Sequence, residues 1–164
     1  MTDPAIGQQP ALQDRFSPQS CCFGCGPANA QGLQLKSHVA PDGTTLVAHF
    51  RPREHHQAFP GAVNGGIIGT LLDCHSNWAA TWTLMQRAAA STPPCTVTAE
   101  FHVKLRRPTP LDAELELRAW PVEVNEPGDR AVIEATLTSG GHVTASCRGV
   151  FVAVKPGHPG YHRW

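Results

Sequence analysis

Gly65 to about Met85 is the one stretch of this chain whose apolar residues recur at helical spacing, and it holds no Lys, Arg or Glu before Arg87. A helix on a protein surface carries charges on its outer face. A helix without them must be covered over most of its circumference, and the rest of the chain says by what. After the break at Thr92-Pro93-Pro94, residues alternate with a period of two, the pattern of half-buried strands. From Thr96 to Leu105, Val97, Ala99, Phe101, Val103 and Leu105 fall on one face, with Thr96, Thr98, Glu100, His102 and Lys104 on the other. Leu111 to Val124, Ala131 to Thr138 and His142 to Val154 continue the pattern, separated by the turn signals Glu126-Pro127-Gly128-Asp129 and Ser139-Gly140-Gly141.

Ahead of the helix, Leu33 to Lys36 and Thr44 to Phe50 read as a hairpin around Pro41-Asp42-Gly43. The order is β-β-α-β-β-β-β. It describes an α+β fold in which an antiparallel sheet, buried on one face, curls around a single central helix. The chain's 164 residues suit one domain, taken as residues 21–155. An aperiodic Pro- and Gln-rich arm at 1–20 precedes it, read as mobile or loosely docked, and an irregular tail at 156–164 follows.

Basic and acidic residues number 13 each, so no net field draws nucleic acid or an anionic membrane. Charged residues make up 16% of the chain, against about 25% in an average domain. That shortage implies that other subunits cover part of the surface. No apolar run is long enough to span a bilayer, and the first twenty residues lack the basic start and apolar stretch of a secretory signal. The expectation is a cytoplasmic protein without a disulfide framework for its six cysteines.

At about 100° per residue, Gly66, Gly69, Thr70, Ser76, Asn77 and Ala80 lie within about 60° of Asp73. Ile67, Ile68, Leu71, Trp78, Ala79, Trp82 and Met85 occupy the opposite side. The bulky side belongs in the sheet. The small side admits a second subunit or an extended ligand, and an acid at its centre reads as functional rather than solubilising. At the helix start stands Asn64-Gly65-Gly66. The first turn of a helix leaves N–H groups unpartnered at the positive end of its dipole, so this end suits a developing oxyanion or a phosphate.

These residues resemble a known family. Val63-Asn64-Gly65-Gly66-Ile67-Ile68-Gly69-Thr70-Leu71-Leu72-Asp73 is similar to the helix signature HGG-x-x-x-T-L-x-D of PaaI-like hotdog-fold thioesterases, in the 4-hydroxybenzoyl-CoA thioesterase superfamily. Cys22-Phe23-Gly24-Cys25-Gly26, Asn29 and Gly32-Leu33 resemble the opening of many bacterial members, and Thr96 to Arg107-Pro108 resembles the strand after the helix. The resemblance covers about residues 21–154. It implies a hotdog fold, a homodimer that pairs into a tetramer, active sites at the subunit interface, an acyl-CoA thioester substrate, and no metal or other cofactor.

Carried onto this chain, the resemblance makes Asp73 the base or nucleophile and the Gly65 N–H the oxyanion donor, with Gly66 beside it. Gln57 sits near a position where an amide orients water or carbonyl. Thr98 matches a hydroxyl reaching in from the partner subunit. Asn64 stands where the signature has His, and unlike His it cannot titrate near neutrality. This substitution motivates the alternative of a non-catalytic acyl-CoA binding or sensing module on the same fold. Thr70 and Asn77 line the stripe, and Arg106 and Arg107 are candidates for the CoA phosphates.

Other features read more plainly. A structural zinc site needs four ligands. The lone Cys22-x-x-Cys25 pair is therefore read as a glycine-rich turn with small buried thiols, and Cys74 and Cys147 as small hydrophobes. His75 falls about 160° from Asp73, on the apolar side, and is expected to be a hydrogen-bonded core histidine. His102 is expected to share a strand face with Thr98.

Overall fold

A computed structural model describes residues 9–162. The long apolar segment forms one helix, α2 (Gly65–Arg87), preceded by a short helix α1 (Leu12–Phe16). Strands are β1 (His38–Val39), β2 (Leu46–Phe50), β3 (Gln57–Phe59), β4 (Ala62–Val63), β5 (Thr96–Leu105), β6 (Leu115–Val124), β7 (Arg130–Ser139) and β8 (His142–Ala153). Six of them make one antiparallel sheet in the order β1-β2-β6-β7-β8-β5. The helix packs across its middle, over β6, β7, β8 and β5. Leu71, Leu72, Ala79 and Leu84 of α2 meet Leu115, Leu117, Ile133, Leu137 and Phe151 of the sheet in one core. The described helices include none long and apolar enough to cross a membrane.

The helix is buried on nearly every side along its C-terminal half, Thr81, Ala80 and Ser76 included. Along its N-terminal half Gly66, Gly69, Thr70, Asp73 and Asn77 stay at least partly open. The small-residue stripe is therefore an uncovered groove beside the free edge of β5.

Three expectations need correction. Leu33 to Lys36 is not a strand. Leu33 and Leu35 are buried, but Gln34 takes a left-handed conformation (φ 51°), and the segment bonds to the cysteine loop instead (Leu33 N to Phe23 O, 2.7 Å; Leu35 N to Gly24 O, 3.0 Å). The first strand pair is shorter and later, His38–Val39 against Leu46–Val47. Nor is the N-terminal segment loose throughout. Residues 1–8 lie outside the described residues, but from Ala11 the chain is docked. Leu12 is buried in the core, and Gln13 exchanges two hydrogen bonds with Ser37 (Nε2 to Oγ, 3.0 Å; Ser37 N to Oε1, 2.8 Å). The packed body thus begins before residue 21.

The third correction bears on the site. Alternation in β5 is broken by a bulge between Thr98 and Glu100. Thr98 stands opposite Phe151, and Phe101 and Val103 stand opposite Gly149 and Cys147. Thr96 and Thr98 therefore face the helix at one end of the strand, and Phe101 and Val103 at the other. Ala99 is the extra residue that changes the phase.

Candidate active site

Asp73 lies on the third turn of α2, half-buried, and Thr98 Oγ1 donates to its Oδ1 at 2.8 Å. Both residues belong to the same chain. Thr98 was expected to reach across from a partner, and the bulge instead turns its hydroxyl onto its own helix. Burial pushes the Asp73 carboxyl above the usual range, the Thr98 hydrogen bond pulls it back, and the neighbouring Cys22 sulfur pushes it further up. Asp73 opens into a cavity of about 290 Å³ that it shares with Cys22, Cys25, Cys74, Asn77 and Trp78.

The helix start is built differently. Asn64 is the N-cap, and its Oδ1 accepts from Gly66 N at 2.7 Å. The Gly66 N–H is thereby consumed, whereas no described residue accepts from the N–H of Gly65. Gly65 faces a second cavity of about 310 Å³, rimmed by Phe59, Leu105, Arg106 and Arg107. Phe59 and Leu105 are 59% and 58% exposed, an apolar lip beside two cations. Gln57, exposed at the start of β3, pairs with Val63. It belongs to this end and lines neither cavity.

Asp73 and Gly65 are therefore not brought together within one chain. Eight helical positions at about 1.5 Å each set them about 12 Å apart, and they open into different cavities.

Most other candidates already hold partners within the chain. Asn77 accepts from Thr96 Oγ1 at 2.6 Å and clamps β5 to the helix. Thr70 Oγ1 donates to Gly66 O at 2.9 Å. Arg106 Nε donates to Ser146 Oγ at 3.1 Å, and Arg107 is exposed. His102 faces the opposite side of β5 from Thr98, paired with Glu100 at 2.8 Å; the bulge undoes their expected shared face. His75 is the core histidine expected, bonded to Ser37 Oγ (2.8 Å) and Leu46 O (3.1 Å).

Sequence reasoning missed the meeting of Cys74 with Cys22 and Cys25, whose three sulfurs lie within 4.8 Å of one another. Cys74 follows Asp73 on the helix and is no mere apolar filler. Cys147 does sit buried in the core, its sulfur 3.4 Å from Ser76 Oγ.

No family model matches the sequence, and no curated protein does. Solved structures do. A thioesterase superfamily protein from Shewanella loihica PV-4 is 33% identical over 79% of this chain and 98% of its own, with a TM-score of 0.61. The chain belongs to the thioesterase superfamily. A mutant of the phenylacetic acid degradation protein PaaI from Thermus thermophilus shares this superfamily member's fold, at 24% identity over 74% of this chain and 95% of that one (TM-score 0.60). Another thioesterase superfamily structure covers 92% of this chain and 73% of its own at 23% identity (TM-score 0.64). The long helix against a six-stranded antiparallel sheet is the hotdog arrangement of these thioesterases.

Proposed function

We propose that this protein hydrolyses acyl-CoA thioesters in a site shared by two copies, with Asp73 from one and the Gly65 helix start from the other. The observation that carries this reading is that Asp73 and the Gly65 N–H, about 12 Å apart along one helix, open into separate cavities. A two-fold axis turns such a surface onto itself, so that residue i of one copy meets residue j of its partner and the reverse. An antiparallel pairing across the stripe sets each Asp73 against the partner's helix start, and the free edge of β5 supplies a place for the sheets to join. This makes a homodimer the minimal unit; pairing of dimers into a tetramer is part of the same proposal.

The chemistry follows from the groups. Thr98 holds one oxygen of Asp73, leaving the other to take a proton from water. The water oxygen then attacks the thioester carbonyl, and the negative charge that develops on the carbonyl oxygen is met by the partner's Gly65 N–H. Collapse breaks the C–S bond, and the proton on Asp73 passes to the leaving sulfur. Direct attack by Asp73 on the carbonyl is the variant of this scheme. Arg106 and Arg107, at the mouth of the Gly65 cavity, suit the CoA phosphates, and the exposed Phe59 and Leu105 suit apolar substrate or partner surface. No metal or cofactor enters this scheme, and a CoA ester substrate goes with a cytoplasmic location.

A second reading rests on Asn64. Its side-chain oxygen is committed to capping its own helix, and it has no titratable proton. The chain would then bind acyl-CoA without turnover. Thiol release from acetyl-, hexanoyl-, palmitoyl-, phenylacetyl- and benzoyl-CoA separates the two. Hydrolysis that disappears in Asp73→Ala supports the enzyme, and saturable binding without hydrolysis of any ester supports the binding module.

A further inference from the structure

Cys22, Cys25 and Cys74 come from two parts of the chain, the Cys22–Gly26 turn and the middle of α2. Cys22 Sγ and Cys74 Sγ are 3.8 Å apart, and all three sulfurs fall within 4.8 Å of each other. This is beyond bonding distance for a disulfide. In a tetrahedral zinc site, Zn–S bonds of about 2.3 Å give sulfur–sulfur edges of about 3.8 Å. Three thiols grouped in this way around a common centre have the arrangement of three corners of such a site.

The backbone is shaped for it. The turn closes through Gly26 N to Cys22 O at 2.9 Å, and a Cβ on Gly26 would run into the backbone of Ser20 and Cys22. A Cβ on Gly24 would overlap the Cys74 sulfur and crowd Thr70. Glycine at 24 thus lets the turn press directly against the helix. Thiolate is the form that ligates metal.

We propose that Cys22, Cys25 and Cys74 bind a thiophilic divalent cation of the zinc class, with the fourth coordination position open to the Asp73 cavity. No fourth His, Cys or carboxylate joins the group among the described residues, and all three cysteines line that cavity with Asp73 and Asn77. Soft thiolate ligands select zinc over magnesium or calcium. The cation clamps the N-terminal turn to α2 and forms one wall of the cavity. This inference stands apart from the proposed hydrolysis and is tested without it.

The test is metal content of the full chain, purified under reducing conditions and then exposed to zinc followed by desalting. The expected result is about one zinc per chain, lost in Cys22→Ser and Cys74→Ser and kept in Cys21→Ser, the control on the adjacent exposed thiol. Cobalt in place of zinc should give the charge-transfer and intense visible bands of a tetrahedral thiolate site. Since Cys25→Ser can fail to fold, the melting temperature of the wild type with zinc and with chelator provides a second readout. It should rise with zinc in the wild type and not in Cys22→Ser. Wild type that retains no more zinc than Cys22→Ser, or that carries a disulfide between two of the three cysteines under reducing conditions, overturns the proposal.

Discussion

Thr98 Oγ1 donates to Asp73 Oδ1 at 2.8 Å within a single chain, because the bulge at Ala99 turns one end of β5 toward the helix. The hydrogen bond fixes the carboxylate and leaves one of its oxygens for water. Asp73→Asn keeps the shape and removes the base. It is expected to lower kcat roughly 100- to 10,000-fold. Thr98→Val keeps the β-branch and removes one charge-assisted hydrogen bond, about 1.4 kcal/mol or tenfold in kcat/KM. Steady-state kinetics on the best CoA ester check both. Wild-type rates in Thr98→Val would mean that the hydroxyl plays no part in turnover.

Gly65 stands at the first position of α2, where proline is tolerated because the N–H lies outside the helical ladder. The preceding Asn64 has φ −61° and ψ 136°, a conformation that proline accepts in its neighbour. Gly65→Pro therefore deletes the proposed oxyanion donor and spares the helix. Its expected loss is about 100-fold or more in kcat. Co-expression with Asp73→Ala tests the shared site. In a mixed dimer one site keeps both Asp73 and Gly65, so activity should return to about half the wild-type value per mixed dimer. No recovery, with mixed dimers demonstrated by mass, would place both groups in one chain's site.

Arg106 and Arg107 flank the Gly65 cavity without carboxylate partners among the described ion pairs. If they hold CoA phosphates, the double change to alanine raises KM for acyl-CoA by about tenfold or more. It should leave KM unchanged for the same acyl group on a short pantetheine-like thiol. Equal effects on both substrates would assign the arginines to the fold rather than to the nucleotide.

The helix was legible because a stretch of 3.6-residue period whose one charge before Arg87 is Asp73 has one physical solution, burial under a sheet. Strands β6 to β8 were legible from their alternation and the turn signals between them, although register shifts interrupt the pairing at Pro121/Glu123 and at Leu137/Thr138. The phase of β5 was not. Thr96 and Thr98 share a helix-facing side with Phe101 and Val103 only through the extra Ala99, and the residues on either side of a bulge alternate equally well without one. Leu33 and Leu35 bury like strand residues while their backbone bonds to the cysteine loop. Asp73 and Gly65 were visible as chemistry on one helix, but a helical wheel shows direction and hides the rise that sets them apart. Cys74 was read from its apolar neighbours, since its contact with Cys22 spans 52 residues and no local spacing reports it.

His75 gives a pH dependence of stability that does not involve substrate. Its ring is fully buried. Nε2–H donates to Leu46 O at 3.1 Å, so Nδ1 accepts from the Ser37 hydroxyl at 2.8 Å, and Gln13 Nε2 donates in turn to Ser37 Oγ. The neutral ring satisfies every partner, and a second ring proton would make the Ser37 hydroxyl give up its donation to Nδ1 while the charged ring stays out of reach of water. Burial, with a smaller push from His38, lowers its pKa to about 4, against about 6.5 in an unfolded chain. Above about pH 6.5 both states are neutral and the full stability is present. Between about 6.5 and 4 the unfolded chain takes a proton that the folded one refuses, so stability falls with pH, by about 3 kcal/mol at the end of the window. Urea unfolding across that range, in the presence of chelator so that metal loss does not contribute, should show this slope. His75→Gln should be less stable at neutral pH yet show a slope smaller by up to about one proton. Parallel profiles for the two proteins would assign the slope to other groups.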